Sequence, residues 1–399
     1  MRVVLFDQAT DGHHLEYATW LSTYLREAGD EVTFVTLAPP APEADLAPIS
    51  AVASLRYATS DATQSSPDPT SLRRLGRTTV GCRFAVDLAR GQGADILHHL
   101  FLDRIELPVA ATTLGRTTPF ATFGTLWWPY FVRRGRDSAH PAKLAYHAVV
   151  RRSLGRMLRS GTMNGLFVQS ERTKSLLLGT WGSSVAHRIH VVPDPSIRSE
   201  DVGIQESRRQ LGLPDRGSLL LFFGALRYDK GPDVLLEALQ RLEGDWHAVM
   251  AGRPGWLSEA QAARYRRRLT DPARVILRLG FVPDADVPRY FEAADAVVLP
   301  YRSAFLGTSG VLQRAAGAGK PVIATDVGDI GSTVRTAGLG VVVEPDDPEA
   351  LQQALQEFLD AGSASVVGVE ERARRYAQST DWRVLGELVR RGYRGSMTS

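Results

Sequence analysis

A chain of 399 residues is too long for one ordinary core and predicts two domains of about 150–200 residues each. Its composition, 44% hydrophobic and 23% charged, is that of a globular protein, and a net charge of +3 gives no overall case for nucleic acid despite a pI near 9.0. The single cysteine, Cys82, excludes an internal disulfide and a thiol-rich metal site. No signal-peptide core opens the sequence, and no run nears the roughly 20 apolar residues of a membrane span, so a cytoplasmic protein with at most peripheral membrane contact is expected.

In chain order, residues 2–6 (RVVLF) read as a buried strand, followed by the glycine loop Thr10–His14. Leu15, Ala18, Leu21, Leu25 and Ala28 then recur at helical spacing, and Val32–Val35 is the next strand. Strand, helix, strand argues for a right-handed βαβ unit in a parallel sheet. The stretches 38–42 and 65–69 are proline-rich loops. Further strands are expected at Ile96–His98, Phe120–Thr122 and Gly165–Val168. A second, more regular α/β run follows residue 217, with strands at Leu219–Phe223, Ala248–Ala251, Val275–Leu279, Ala296–Leu299, Val322–Ala324 and Val341–Val343. The expected architecture is α/β: two Rossmann-like domains, 1–195 and 196–380, with parallel sheets facing across a cleft that is the default place for a small-molecule site.

Two loops of the second domain have the chemistry of diphosphate recognition. The first, Gly224 to Gly231, leaves a strand with a glycine turn and then offers the cations Arg227 and Lys230. The second, Phe305 to Val311, brings Thr308, Ser309, Gly310 and Val311 to a helix start, where orphan amides favour an anion. Each alone is also compatible with surface cations and an ordinary helix cap. Two at strand carboxyl ends of one sheet make the stronger case.

The blocks FFGALRYDKGPDVLLEAL, GFVPDADVPRYFEAADAVVLPY, GAGKPVIATDVGDIG and GLGVVVEPDDPEAL resemble the retaining family-four (group 1) glycosyltransferases of the GT-B fold. The likeness continues more faintly through GHHLEYATWLSTYL, DILHHL and LFVQSERTKSLL. It implies transfer of a sugar from a nucleoside diphosphate sugar (UDP or GDP) to a glycan, lipid-linked or small-molecule acceptor. No metal or other cofactor is implied, the nucleotide-sugar being a substrate. Lys230 matches the family's diphosphate lysine, Arg227 stands in for its arginine although Ala225 holds the usual place, and Gly12 matches its glycine-rich loop. A C-terminal helix of about 381–394 is implied to return to the first domain. Two departures stand out. The family's paired glutamates, which meet the donor sugar and ribose, fall at Leu306 and Arg314. The first-domain strand that usually ends in a histidine reads Thr122 to Trp128 without one.

His13, His14, His98 and His99 fall near strand carboxyl ends of the first domain, where imidazole can meet an acceptor or act as a base. His13, beside Gly12, is the expected catalytic histidine; His98, His99, Asp103, Trp127 and Trp128 are the expected acceptor contacts. Asp103 also reads as a helix cap, as do Asp284, Asp286, Asp346 and Asp347. Trp127 to Phe131, then Arg133, Arg134, Arg136, Lys143, Arg151, Arg152, Arg156 and Arg159, suit either a solvated basic helix or peripheral contact with an anionic membrane through 127–159. The missing glutamates keep a catalytically inactive GT-B partner protein open as the alternative, with a sugar-nucleotide epimerase behind it. Oligomeric state is not legible.

Overall fold

A computed structural model describes residues 1–10, 13–37, 46–58, 72–132, 141–197, 202–362 and 368–397. The chain forms two compact units, Met1–Pro193 with Trp382–Ser399, and Asp194–Asp381. In chain order the elements are β1 (Arg2–Asp7), α1 (His13–Glu27), β2 (Glu31–Thr36), α2 (Ala47–Val52), β3 (Ser54–Tyr57), α3 (Leu72–Gly91), β4 (Ile96–His99), α4 (Glu106–Thr113), β5 (Ala121–Thr125), α5 (Pro141–Ser160), β6 (Gly165–Val168), α6 (Glu171–Trp181) and β7 (Ile189–Val191). They continue with α7 (Ile204–Leu211), β8 (Ser218–Phe223), α8 (Pro232–Ala238), β9 (Trp246–Gly252), α9 (Glu259–Arg266), β10 (Val275–Leu279), α10 (Val287–Ala293), β11 (Ala296–Leu299) and α11 (Gly310–Gly317). The chain ends with β12 (Val322–Thr325), α12 (Ile330–Ala337), β13 (Gly340–Val343), α13 (Pro348–Ala361), α14 (Val369–Ser379) and α15 (Trp382–Met397).

Among the described residues the first unit has a seven-stranded parallel sheet, ordered β3-β2-β1-β4-β5-β6-β7. Val3 to Phe6 are all buried because helices cover both faces, which is why the strand reads as a continuous apolar run. Phe6 and Leu97 pack on one face beside α3 and α4 residues, while Leu5, Phe34, Phe123 and Phe167 pack on the other. Leu385, Val389 and Tyr393 of α15 complete that second face. Arg390 of α15 also pairs with the buried Asp30 at 2.7 Å.

The second unit has a six-stranded parallel sheet among the described residues, ordered β10-β9-β8-β11-β12-β13. Both sheets therefore share one winding, in which the strand order reverses between the first and fourth strands. Such a switch point opens a crevice outside the carboxyl ends of the two strands. In the first unit it lies between β1 and β4, and in the second between β8 and β11.

The acidic residues expected as helix caps divide, Asp347 as expected and the others not. Asp347 caps α13 by accepting from the amides of Glu349 and Ala350. Asp346 instead takes a left-handed conformation (φ 60) and accepts from Arg302 and the Ser303 amide. Asp286 precedes α10 without capping it, because its carboxylate pairs with Arg289. Asp103 caps no helix; it binds two amides far along the chain, as described below. Lys320 of the Gly-Lys-Pro-Val block is buried and donates to the Glu292 carbonyl at 2.9 Å, a structural role.

Candidate functional site

The second unit's switch point gathers the two loops singled out by sequence. β8 ends at Phe223, and Gly224 turns away with φ 102, a conformation that favours glycine. A Cβ added there would lie 2.8 Å from the Lys230 Nζ and 3.8 Å from Val311, so the lysine, Gly224 and the start of α11 converge. Gly231 (φ 60) then lets the loop press on the end of β11, where a Cβ would meet the Pro300 carbonyl oxygen at 2.0 Å. The Lys230 ammonium sits 5.4 Å from the centre of the buried Tyr301 ring. The Tyr301 hydroxyl in turn is 3.2 Å from the Ser309 hydroxyl.

That last contact matters for α11. Ser309 is its N-cap, but the side chain makes no capping bond, being turned toward Tyr301. The first-turn amides of α11 thus keep their positive end, with Gly310 exposed, beside Lys230. Thr308 reaches the Asp194 carboxylate at 3.4 Å. Arg227 is half-exposed and makes a two-pronged ion pair with Asp229, which holds its guanidinium even more firmly protonated. Leu306 and Arg314 are half-buried at either side of this segment, Arg314 on α11 itself. Gln313, beside Arg314, is buried and bonded to Ser196 and Tyr376. A lysine, a helix start and a tyrosine–serine pair have together the chemistry to hold an anion.

In the first unit the expected residues divide. His98 is buried, with Nδ1 2.6 Å from the Tyr393 hydroxyl and Nε2 2.8 Å from the Thr125 hydroxyl. Burial, then neighbouring His99, holds its pKa well below the ordinary value. Both nitrogens being engaged inside the core, His98 does not face an acceptor. His99 is buried too, its pKa lowered to about 3 by burial, and neither ring nitrogen meets a hydrogen-bond partner among the described residues. Gly12 lies outside the described residues, and of His13 only the backbone is described, opening α1.

The β1/β4 switch point gathers His14, Asp103, Trp127 and Trp128, all singled out by sequence, with Asp7, which was not. Asp7, buried at the end of β1, has its oxygens 3.0 and 3.1 Å from His14 Nδ1. The His14 ring packs on Phe101 at 3.7 Å between centroids, and Phe101 stacks on Trp127 at 5.0 Å. The Trp127 and Trp128 amides donate to the two Asp103 oxygens at 2.9 and 2.6 Å. Burial pushes Asp103 up to about 6 against those amides, and it pushes Glu106 to about 8 with help from the negative Asp103. Glu106 accepts from Tyr130, while its second oxygen has no partner among the described residues. An aspartate after an apolar strand was the available signal for Asp7, but only the fold shows that His14 turns back onto it.

Residues 217–361 match the model of the family described as glycosyl transferases group 1. The chain is 31% identical over 195 residues to a D-inositol 3-phosphate glycosyltransferase of Salinispora tropica, and 32% over 202 residues to one of Xylanimonas cellulosilytica. Those matches take in 46% and 47% of this chain, and the chain spans less than half the length of these relatives, 39% and 46%. Among solved structures, a sucrose-phosphate synthase from Thermosynechococcus elongatus superposes over 100% of this chain and 99% of its own, with a TM-score of 0.79 at 18% identity. HepE of Anabaena in complex with UDP and glucose covers 98% of each chain, with a TM-score of 0.71 at 16% identity. At such identities the structural likeness speaks for the fold alone. With two parallel, doubly wound units and the family match over the second of them, the chain carries a group 1 glycosyltransferase domain within the GT-B fold.

Proposed function

We propose that the protein is a retaining glycosyltransferase that moves a sugar from a nucleoside diphosphate sugar, UDP- or GDP-linked, onto an acceptor hydroxyl. The observation that carries this reading is the convergence of Gly224, Lys230 and the uncapped start of α11 at the β8/β11 switch point. The donor diphosphate lies against the Lys230 ammonium and the amides of Gly310 and Val311, with Thr308 and Ser309 beside it. Arg227 joins when it exchanges Asp229 for phosphate oxygens. Leu306 and Arg314 stand where carboxylates would meet sugar and ribose, so those contacts come from other groups.

In the transfer step the acceptor oxygen bonds to the anomeric carbon as the bond from that carbon to the diphosphate oxygen breaks. The electron pair leaves with the nucleoside diphosphate, and a leaving-phosphate oxygen takes the acceptor proton. No protein nucleophile is needed. Relatives named as D-inositol 3-phosphate glycosyltransferases and a neighbour holding UDP and glucose support a polyhydroxylated acceptor and a UDP donor.

The test is a panel of sugar nucleotides with detection of released UDP or GDP, repeated with Lys230→Ala. Release by the parent and its loss in the variant are expected. Absence of both turnover and nucleotide binding would overturn the reading. The hydrophobic and arginine side chains at Leu306 and Arg314 favour one second reading, a GT-B partner protein that binds nucleotide without turnover, and the same assay separates the two.

The exposed side of α5 carries Lys143, Leu144, Val149, Arg152, Arg156 and Arg159, and the helix has no acidic residue. Arg133, Arg134 and Arg136 lie outside the described residues. Among the described residues no helix is long and apolar enough to cross a membrane. This face supports peripheral contact with an anionic lipid surface that bears a lipid-linked acceptor. Flotation with vesicles containing phosphatidylglycerol at low salt tests it, and absence of binding would remove it.

A further inference from the structure

We infer that Tyr301 is a positioning residue for the donor: its hydroxyl holds Ser309 off the amides of α11 that this serine would otherwise cap, and its ring seats the Lys230 ammonium. This rests on the glycosyltransferase reading above and deepens it, because it gives the diphosphate a competitor within the chain, the Ser309 side chain.

Ser309 has what a helix cap needs. Serine is among the best capping residues, and a backbone at φ -132 and ψ 114 is the extended conformation from which a cap accepts the second or third amide of its helix. The same chain makes that bond elsewhere. Ser170, extended before α6, accepts from the Thr173 amide at 3.0 Å, and Ser258, extended before α9, accepts from the Gln261 amide at 3.3 Å. Ser309 accepts none from α11, and its hydroxyl lies 3.2 Å from that of Tyr301. Rotation about one side-chain bond separates the two arrangements. The capped one would take up the Val311 or Leu312 amide and quench the positive helix end that an anion uses.

Tyr301 is built to hold the uncapped arrangement. It is 1% exposed, lies two residues beyond the end of β11, and packs against Phe305 at 4.6 Å between ring centres. Its carbonyl accepts from the Thr325 hydroxyl at 2.5 Å, which ties this stretch to β12. The ring is thereby fixed in the core, and its hydroxyl is paired with the buried Ser309, where water does not compete. The Lys230 ammonium stands 5.4 Å from the centre of the same ring, within range of a cation–π attraction. One side chain therefore sets both the lysine and the helix start. Phenylalanine would keep the ring contact with Lys230 and lose the hold on Ser309, so the two roles can be separated.

The experiment uses the full chain with Tyr301→Phe, Ser309→Ala and the pair. Phenylalanine nearly preserves the volume of the ring, so the variants are expected to fold. UDP and GDP affinities are read by calorimetry, and hydrogen exchange over Ser309–Leu312 is read without nucleotide. Tyr301→Phe should bind nucleotide about fivefold more weakly, and exchange at the start of α11 should slow as Ser309 caps it. Adding Ser309→Ala should restore most of the lost affinity and the faster exchange, although Ser309→Ala alone brings no gain over the parent. A merely structural tyrosine would do the reverse: exchange would quicken in Tyr301→Phe, and Ser309→Ala would deepen the loss of affinity. Unchanged or faster exchange, or a loss that Ser309→Ala does not relieve, would overturn the inference. Absence of UDP and GDP binding by the parent would remove the donor reading, and the exchange comparison would still decide whether Tyr301 restrains Ser309.

Discussion

The hydroxyl of Tyr393 lies 2.6 Å from Nδ1 of His98, 295 residues earlier in the chain. Both groups are buried, and the bond ties α15 to the centre of the first unit's sheet. Tyr393→Phe keeps the ring and strands the nitrogen. A loss of about 1–3 kcal/mol is expected, which lowers Tm by roughly 2–4 °C per kcal/mol for a domain of this size. Calorimetric melting checks it, and an unchanged Tm would mean that the hydroxyl contributes nothing.

Gly231 and Gly224 should fail differently. Alanine at Gly231 meets the Pro300 carbonyl oxygen, which belongs to backbone and cannot move aside. Loss of about 3 kcal/mol is expected, together with nucleotide binding. Alanine at Gly224 meets the tip of a flexible lysine. Gly224→Ala carries the backbone strain of φ 102 without a backbone clash, so it should lose less stability than Gly231→Ala while UDP affinity falls through displacement of Lys230. Urea melts and calorimetry on both variants separate the effects.

Asp229 competes for Arg227. Its carboxylate occupies the guanidinium that the donor reading assigns to phosphate, and its charge repels the diphosphate. The pair is partly exposed, so its strength is modest, about 0.2–1 kcal/mol. Asp229→Asn should tighten UDP binding by about two- to fivefold. Weaker binding would show instead that Asp229 is needed to aim the arginine.

Glu106 makes stability fall with pH. Its pKa rises from an ordinary 4.5 to about 8 in the fold, through burial and then Asp103. The unfolded chain releases this proton above about 4.5 while the folded chain retains it. The stabilisation is full below the ordinary pKa and is lost as pH climbs toward the folded one. The slope reaches about 1.4 kcal/mol per pH unit, and Asp103 adds to it in the same direction at lower pH. Glu106→Gln keeps an acceptor for Tyr130 and should flatten the decline in urea-melt stability between pH 5 and 8. An unaltered slope would place the titration elsewhere.

Much of the fold was legible because parallel strands covered on both faces read as apolar runs. Gly165–Val168, Val275–Leu279 and Ala296–Leu299 are found with the bounds the sequence suggests. β3 and β7 were not legible. They are the two edges of their sheet, and Ser54–Tyr57 alternates exposed and half-buried residues without an apolar run. At the sites, the Gly224–Gly231 and Thr308–Val311 loops announced themselves because glycines and cations sit close in sequence. His98 misled for the opposite reason: its partners Thr125 and Tyr393 are distant, so a core histidine looked like a loop one. Asp103 was read as a local cap, whereas its amide partners lie 24 and 25 residues on.

The placement of α15 has a consequence for synthesis. Leu385, Val389 and Tyr393 close the first unit's core, yet the ribosome makes them only after the whole of Asp194–Asp381. At about 5–20 residues per second, the nascent first unit waits roughly 10–40 s with the face around Phe123 and Phe167 uncovered. The second unit, continuous in sequence, has no such delay. The later-made half can therefore mature first, while the earlier half keeps an apolar face open until α15 is made.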